Sequence, residues 1–324
     1  SVLGTYDMPQ IMTSWGLIYR FLRKQVSAAE YHNAHALADI ETSADGVTAV
    51  FENGARESGD WLIGADGTRS TVRAIVAPGI LNEYCGYFGW RGLIDEKLIP
   101  PEVLEAFAQR MALGMAPGGH WLGYLVAGPG DALEAGRRWF NWGWYRTGDD
   151  AMLRELLTDG SGRCHEHGIP HDLIRREHVE RMRDEAHRYL APQIQAVVNA
   201  TEWPFIQAMS DFGSERLITD RTILIGDAAF TTRPHVGLGV SKAADDASSL
   251  ARALSDTDQA MALERWEATR LAYGNAVLQW GRDLGSYIGP QPEDAAHRAK
   301  AAYHQRPEVL MAATAASDPS RYLN

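Results

Sequence analysis

Two aspartates, Asp66 and Asp227, each stand where a short apolar run gives way to a loop that contains glycine. The apolar runs at 61–65 and 222–225 predict buried strands, and a helical pattern follows each loop. In open α/β sheets, ligands bind outside the carboxyl ends of the strands. An acid there can accept hydrogen bonds from ribose hydroxyls, while exposed amides at a helix start attract anionic atoms. The pattern predicts a nucleotide-type site, with helix capping by Asp227 as the alternative.

The residues that follow Asp66 add groups suited to an anionic ligand. Gly67 permits close backbone approach, and Arg69 and Arg73 supply cationic donors. Ser70 can cap the helix that comes next. Because the same order of strand, acid, loop and helix occurs twice, a binding site is favoured over an ordinary turn.

These motifs resemble two fingerprints of the single-component flavin-dependent aromatic hydroxylases. Residues 66–73 resemble the family's DG fingerprint and residues 226–246 its GD fingerprint, in the family's order and at roughly its separation. The pattern at 89–93 resembles a strand of the family's substrate domain. The form of the loop at 233–235 is most similar to that of the 2,6-dihydroxypyridine 3-hydroxylase members.

The resemblance implies FAD as the cofactor, with Asp227 holding its ribose. The residues that it assigns to the cofactor are Asp66, Gly67, Arg69, Asp227, Pro234, Gly237, Leu238 and Gly239. The last four would lie near the isoalloxazine, where backbone N–H groups can stabilise the negative charge of reduced flavin. Loop geometry alone is the other interpretation of these glycines.

His235 and Arg91 are the candidates for chemistry on the substrate side. A phenol or hydroxypyridine reacts fastest as its anion, so a histidine or an arginine donor beside the ring would promote hydroxylation. Each residue also has a structural interpretation. His235 can be a hydrogen-bonding loop residue, and Arg91 can form an ion pair between aromatic residues.

The resemblance implies a monooxygenase in which NAD(P)H reduces FAD, O2 forms a flavin hydroperoxide, and one oxygen atom enters an electron-rich aromatic or N-heteroaromatic ring. A flavin epoxidase or halogenase on the same scaffold is one alternative, and a non-catalytic or FAD-poor fragment that serves as a binding module is another. Phe230 replaces the histidine of many hydroxylases, and the chain shows no GxGxxG strand-turn-helix. We therefore expect an N-terminally incomplete FAD domain that binds FAD weakly.

The predicted fold is α/β with an α+β insert. The expected parts are a discontinuous Rossmann-like FAD-binding domain at 1–78 and 216–284, a substrate domain with a mixed or antiparallel sheet at 79–215, and a C-terminal tail at 285–324. The insert is predicted from alternating, aromatic-rich runs bounded by glycine and proline between Asn82 and Arg146.

Composition limits the other possibilities. The chain of 324 residues has 45% hydrophobic and 23% charged residues, a formal net charge of −11 and two cysteines. These values predict a globular, cytoplasmic protein that binds neither nucleic acid nor anionic membranes, with a homodimer left open. No apolar run approaches the ~20 residues of a membrane span. The run from Cys164 to His167 matches no closed four-ligand site, so no metal is expected.

Overall fold

The structure, a computed structural model, describes residues 2–166, 168–290, 294–316 and 323. The helices are α1 Trp15–Arg23, α2 Thr71–Val76, α3 Pro101–Phe107, α4 Asp150–Leu156, α5 Arg176–Tyr189, α6 Pro192–Ala200, α7 Gly239–Leu254, α8 Gln259–Leu284, α9 Ala295–His304 and α10 Pro307–Ala313. The strands are β1 Leu37–Thr42, β2 Val47–Phe51, β3 Arg56–Gly59, β4 Leu62–Gly64, β5 Glu83–Asp95, β6 Ala112–Ala116, β7 Gly119–Val126, β8 Trp139–Thr147, β9 Phe205–Gly213, β10 Ile218–Thr219, β11 Thr222–Leu224 and β12 Phe230–Thr231. Within these described ranges, no helix combines the length and the apolar character that crossing a membrane requires.

The chain divides into two compact units. The first comprises Ser1–Ser27, Tyr84–Met209 and Ser286–Met311, and the second comprises Ala28–Glu83, Ser210–Gly285 and Ala312–Asn324. These limits differ from the predicted domains at both ends of the chain. Helix α1 belongs to the first unit, where its Arg20 forms an ion pair with Asp131. The predicted tail at 285–324 contains α9 and α10. Its Tyr287 is buried with Tyr145 in an apolar cluster of the first unit, so this part of the chain packs in the core.

The first unit contains a sheet whose strands run in the order β9-β5-β8-β7-β6. The β5–β8, β8–β7 and β7–β6 pairs are antiparallel, as the alternating aromatic runs predict. Trp90, Trp144 and Trp121 lie in register on one face and are buried. Residues of α3 to α6 pack against these tryptophans in one apolar cluster, so this face is the core. The end of β9 continues into the second unit and pairs with β12.

The second unit carries two small sheets. Strands β1, β2 and β3 form an antiparallel meander, while β10, β11 and β4 form the other sheet. Strands β4 and β11 are parallel neighbours, with Gly64 beside Leu224. Gly64 is needed here, because a β-carbon would lie 2.7 Å from Cγ1 of Val72 on α2. The two strands therefore end side by side, just before Asp66 and Asp227.

Candidate functional site

The carboxylate of Asp66 accepts hydrogen bonds from the start of helix α2. It accepts hydrogen bonds from the N–H of Val72, at 3.1 Å, and from the hydroxyl of Ser70. Ser70 is the N-cap of α2, as predicted, and accepts from the N–H of Arg73 at 2.8 Å. Asp66 therefore holds the loop in shape, and this use of its oxygens favours a supporting role over direct contact with a cofactor.

Gly67 and Arg69 form the open part of the same loop. Gly67 has a φ of +79°, and no atom lies within 4 Å of the position that a β-carbon would take. Arg69 is exposed beside it. A ligand can therefore approach the backbone at Gly67 closely, with a cationic side chain near.

Arg73 joins the two motifs within the second unit. Its Nη2 donates to the carbonyl of Thr68 at 2.7 Å, and its Nη1 donates to the carbonyl of Ala228 at 3.0 Å. The hydroxyl of Thr231 also lies 3.2 Å from that of Thr68. Burial lowers the pKa of the Arg73 guanidinium, and the charge of Asp66 acts in the opposite direction. The two predicted motifs thus lie against each other and are held by buried hydrogen bonds.

The turn that carries Asp227 is fixed by charged residues of α7 and α8. Gly226 donates its N–H to Oδ2 of Asp246 at 2.9 Å, and its carbonyl accepts from Nζ of Lys242 at 3.0 Å. Lys242 and Asp246 pair with each other at 3.0 Å, while Nε of Arg270 donates to Oδ1 of Asp246 at 2.7 Å. All three charged side chains are buried. This network leaves the backbone before Asp227 little freedom to move.

Sequence reasoning missed this network. The buried residues of the helix are Lys242, Asp246, Leu250 and Ala253. The four-residue spacing of Lys242 and Asp246 was the available signal, because residues at i and i+4 share one face of a helix.

Asp227 is half-buried, and it does not cap a helix. The N-cap position of α7 is Leu238, and no described residue donates a hydrogen bond to the Asp227 carboxylate. Burial raises the pKa of Asp227; the charge of Lys242 lowers it and that of Asp246 raises it, with a net increase. A carboxylate held at a sheet edge without a protein donor is available to ribose hydroxyls, which favours the cofactor interpretation over capping.

The loop before α7 presents backbone amides. Helix α7 has 16 residues, begins at Gly239, and has no side-chain cap on its first turn. Gly237 has a φ of +65°, and no atom lies within 4 Å of the position that a β-carbon of Gly239 would take. Leu238 is buried and Pro234 is half-buried. The uncapped N–H groups can therefore receive the electron-rich edge of a ligand.

His235 is fully buried within the second unit. Its carbonyl accepts from the N–H of Ala315 at 2.9 Å, and a β-carbon at Gly237 would lie 2.7 Å from Cβ of Ala315. The chain at Ala315 therefore packs on the backbone of the predicted flavin loop. A catalytic role for His235 stays a prediction.

The second unit brings together His235 and every residue predicted for FAD, whereas Arg91 belongs to the first unit. Arg91 is half-buried on β5 and donates a hydrogen bond to the hydroxyl of Tyr145. The ion pair that was the alternative for Arg91 does not occur with any carboxylate in the described part of the chain. Its catalytic role also stays a prediction.

The region around Cys164 shows a hydrogen-bonded loop. Asp159 accepts from Ser161 Oγ at 2.6 Å and contacts Nε2 of His165 at 2.7 Å, and Cys164 is a free thiol. His167 lies outside the described residues. No group of three or more potential metal ligands occurs in the ranges that the structure describes.

The donor set of the second unit fits FAD. Asp227 has a carboxylate without a described hydrogen-bond donor, α7 has an uncapped first turn, and Gly67 has open space beside its backbone. Asp227 and residues 237–239 would hold the cofactor, while Asp66 and Arg73 keep the two loops in place.

Comparisons with known proteins define the family. Residues 84–211 match the family described as FAD binding domain-like. The chain is 30% identical over 287 residues to 2,6-dihydroxypyridine 3-monooxygenase of Paenarthrobacter nicotinovorans. This match covers 88% of the chain and 71% of that protein. The chain belongs to the family of FAD-dependent aromatic hydroxylases. The predicted FAD cofactor and the predicted class, an FAD-dependent monooxygenase of aromatic and N-heteroaromatic rings, are confirmed.

A solved structure supports the same fold. The 2,6-dihydroxypyridine-3-hydroxylase from Arthrobacter nicotinovorans matches with a TM-score of 0.80 and 28% identity, covering 88% of this chain and 73% of that chain. The α/β class with its antiparallel sheet is thereby confirmed. FAD-dependent urate hydroxylase of Klebsiella pneumoniae is 30% identical over 245 residues, and the chain spans 52%, about half, of its length. The substrate and partners of the whole protein are accordingly proposals.

Proposed function

We propose that the protein hydroxylates an ionised hydroxypyridine-like ring, using FAD, NAD(P)H and O2. The observation that carries the proposal is the Asp227 carboxylate, half-buried at the ends of β4 and β11 and without a donor among the described residues. An acid at this position of an open sheet accepts hydrogen bonds from the ribose hydroxyls of a dinucleotide. It would fix the cofactor relative to the amides at the start of α7.

The chemistry that FAD supplies when bound is the transfer of two electrons from NAD(P)H to O2, with one oxygen atom entering the ring and the other leaving as water. The residues of the chain position and polarise the reactants. The N–H groups of residues 239–241 stabilise negative charge at the start of α7. His235 of the second unit is proposed to accept or hold the proton of the ring hydroxyl. A role for Arg91 of the first unit in activating the ring remains a prediction from the sequence.

The substrate class is supported by the relatives. One is named for 2,6-dihydroxypyridine and another for urate, and both compounds are nitrogen heterocycles that carry oxygen substituents. An oxygen substituent that ionises pushes electron density into the ring, which favours attack on an electrophilic oxygen. A half-buried arginine without a described carboxylate partner suits such an anion.

The test combines a titration with turnover. FAD is titrated into the purified protein by calorimetry, because weak binding would escape gel filtration. NAD(P)H and O2 consumption are then followed with and without 2,6-dihydroxypyridine at saturating FAD. We expect FAD binding, ring-dependent NAD(P)H oxidation and a hydroxylated product. Absence of FAD binding would leave the binding-module alternative, and a chlorinated product that requires chloride would indicate a halogenase.

A cytoplasmic location and a homodimer belong to the same proposal. The location is supported by Cys85 and Cys164, which are not in a disulfide and so suit a reducing compartment. Sedimentation of the FAD-saturated protein measures the assembly, and a monomer across the concentration range would exclude the homodimer.

A further inference from the structure

Helices α4 and α5 of the first unit meet at a group of charged side chains that the proposed function does not use. We call Glu155, Arg175, His178 and Arg181 the α4–α5 cluster. Glu155 lies in the last turn of α4, Arg175 is the N-cap residue of α5, and the other two lie on α5. The three basic residues are spaced three apart, so they share one face of the helix. All four residues belong to the segment Tyr84–Met209 of the first unit.

His178 is the buried member of the α4–α5 cluster, and each of its ring nitrogens faces an arginine. Nε2 lies 3.0 Å from Nε of Arg175, and Nδ1 lies 3.2 Å from Nη2 of Arg181. A neutral imidazole has one acceptor nitrogen and one N–H. One ring N–H therefore points at a guanidinium, which cannot accept it, and this buried donor needs an acceptor from elsewhere.

The carboxylate of Glu155 is the acceptor that these donors share, and it is held loosely. Its Oε1 lies 3.5 Å from Nη1 of Arg181, 3.8 Å from Nη2 of Arg175 and 3.8 Å from Nδ1 of His178. Hydrogen bonds between charged groups normally span about 2.7–2.9 Å. The Glu155 side chain is 47% exposed, so it can turn to solvent without losing a short contact. The three donors thus converge on a position that Glu155 fills poorly.

Arg175 is held in place by contacts that do not need the Glu155 side chain. Its Nη2 donates to the backbone carbonyl of Glu155 at 3.3 Å, and its Nη1 pairs with the exposed Glu177 at 2.9 Å. Helix α5 has 14 residues, and no described side chain caps its first turn. The N–H groups of this turn and the positive end of the helix dipole lie beside Arg175. They add to the attraction of the cluster for an anion.

The charges around His178 keep its imidazole neutral. Burial lowers the pKa of His178, the charges of Arg175 and Arg181 lower it further, and those of Glu155 and Glu177 oppose them without reversing the direction. A ligand that carries two negative charges would oppose the arginines more strongly than Glu155 does, and the pKa of His178 would then rise. The protonation of this ring therefore reports whether an anion is bound.

We propose that the α4–α5 cluster is a binding site for a tetrahedral dianion, namely phosphate, sulfate or the phosphoryl group of a phosphate monoester. The anion displaces the side chain of Glu155 and brings separate oxygens to Arg175, Arg181 and the ring N–H of His178. A carboxylate has two oxygens and one charge, so it would only replace Glu155 like for like. A phosphoryl group offers three oxygens and about two charges, which suits three donors and two guanidinium groups.

The first experiment measures binding of sulfate, which stays a dianion near neutral pH. The full chain is titrated with sodium sulfate by calorimetry at low ionic strength, without free FAD, because the phosphates of FAD would compete. We expect saturable binding with a Kd of about 1 mM or tighter. Arg181→Gln should weaken it by about threefold to tenfold, since this arginine is exposed and its contact is partly screened. Arg176→Gln, at an exposed position of the same helix, is the matched control and should keep the wild-type affinity.

The second experiment removes the competing carboxylate. Glu155→Gln should tighten sulfate binding by about threefold to tenfold, because the ligand no longer has to displace a negative charge. Glu180→Gln removes the same charge from an exposed position of α5 and is the matched control. Tighter binding in Glu155→Gln alone would separate a specific site from the general attraction of a cationic helix. Equal sulfate affinities in these two variants would overturn the proposal.

The third experiment follows the buried imidazole directly. The ring C–H signal of His178 is titrated with pH by NMR, with and without saturating sulfate. We expect sulfate to raise the pKa of His178 in the wild type, and to raise it less in Arg181→Gln at the same sulfate concentration. Identical titrations with and without sulfate would show a cluster that only joins the two helices, and would refute the site.

The last comparison identifies the class of ligand. Inorganic phosphate, glycerol phosphate and acetate are titrated in the same way. Equal binding of the two phosphate compounds would indicate a phosphoryl group on a larger molecule, and binding of inorganic phosphate alone would indicate the free anion. Acetate that binds as tightly as sulfate, or no saturable sulfate binding by the wild type, would overturn the proposal. Circular dichroism of each variant separates lost binding from misfolding, with Arg181→Lys as the second variant if Arg181→Gln unfolds.

Discussion

The carboxylate of Asp211 lies 2.6 Å from Nε of Arg233 and ties the predicted flavin loop to the end of β9. Its other oxygen accepts from Nη2 of Arg282 on α8 at 2.8 Å. The loop backbone also packs closely on α8, because a β-carbon at Gly281 would lie 3.3 Å from the backbone N of Arg233. Burial alone would raise the pKa of Asp211, but the hydrogen bond from Arg282 and the charge of Arg233 outweigh it and lower the pKa. The start of the loop is thus anchored on two elements.

Asp211→Asn should loosen this loop. The substitution removes charge-assisted hydrogen bonds from a buried site, and we expect a loss of about 1.5–3 kcal/mol in the free energy of unfolding. FAD binding should weaken as well, because the amides before α7 lose their fixed position. Urea unfolding and FAD titration measure the two effects. Glu264→Gln, at an exposed position of α8, is the control and should change stability by less than about 0.5 kcal/mol.

The order of elements in the second unit could be predicted from sequence because its signals are local. The apolar run before Asp227 marks a strand, and the pattern after Gly239 marks a helix, without knowledge of distant residues. Ser70 predicted the N-cap of α2 in the same way. These features depend on neighbours within one turn or one strand.

The buried long-range contacts that hold these elements in place could not be predicted in the same way. Asp246 appears polar in the helical pattern, and its burial depends on Arg270, which lies 24 residues further along the chain. The sequence assigns Tyr287 to a tail, yet it is buried beside His120, which is 167 residues away in sequence. Hydrophobic periodicity carries no information about such pairings, because a buried charge follows the position of its partner.

Arg73→Met should separate the two motifs. The variant loses the hydrogen bonds to the carbonyls of Thr68 and Ala228 and leaves both oxygens without this donor. We expect the second unit to lose about 1.5–3 kcal/mol of stability, measured by urea unfolding. Arg69→Met on the same loop is the matched control, since Arg69 is exposed and should change stability by less than about 0.5 kcal/mol. Equal stability of the two variants would refute a joining role for Arg73.

Asp227→Ala should weaken FAD binding by about tenfold to a hundredfold. The reason is the loss of charge-assisted hydrogen bonds to the ribose hydroxyls. Fluorescence titration with FAD measures the change. Asp245→Ala is the control, because the Asp245 side chain is 53% exposed on α7. Unchanged affinity in Asp227→Ala would remove this residue from the cofactor site.

Asp227→Asn should stabilise the protein in the absence of FAD. Burial raises the pKa of Asp227 above the usual 3.8, so the folded state holds its proton more firmly than the unfolded state does. Stability then falls as pH rises through the window from 3.8 to the raised value, and at neutral pH the ionised side chain is a net cost. Asparagine removes that cost. Denaturant unfolding should show the variant to be the more stable protein at pH 7, with a difference that shrinks on acidification. A wild-type protein that is the more stable at pH 7 would contradict the argument.

His235→Ala tests whether the buried imidazole takes part in chemistry or only in packing. If His235 accepts or holds the substrate proton, the variant should still bind FAD and oxidise NAD(P)H, but hydroxylated product per NAD(P)H should fall and peroxide should rise. Oxygen-electrode assays with catalase, together with product quantification, measure this coupling. His171→Ala is the control, since the His171 side chain is 57% exposed in the first unit. A variant that loses stability while its coupling matches the wild type would make His235 a packing residue of the loop, and Arg91 would then be the stronger candidate for activating the ring.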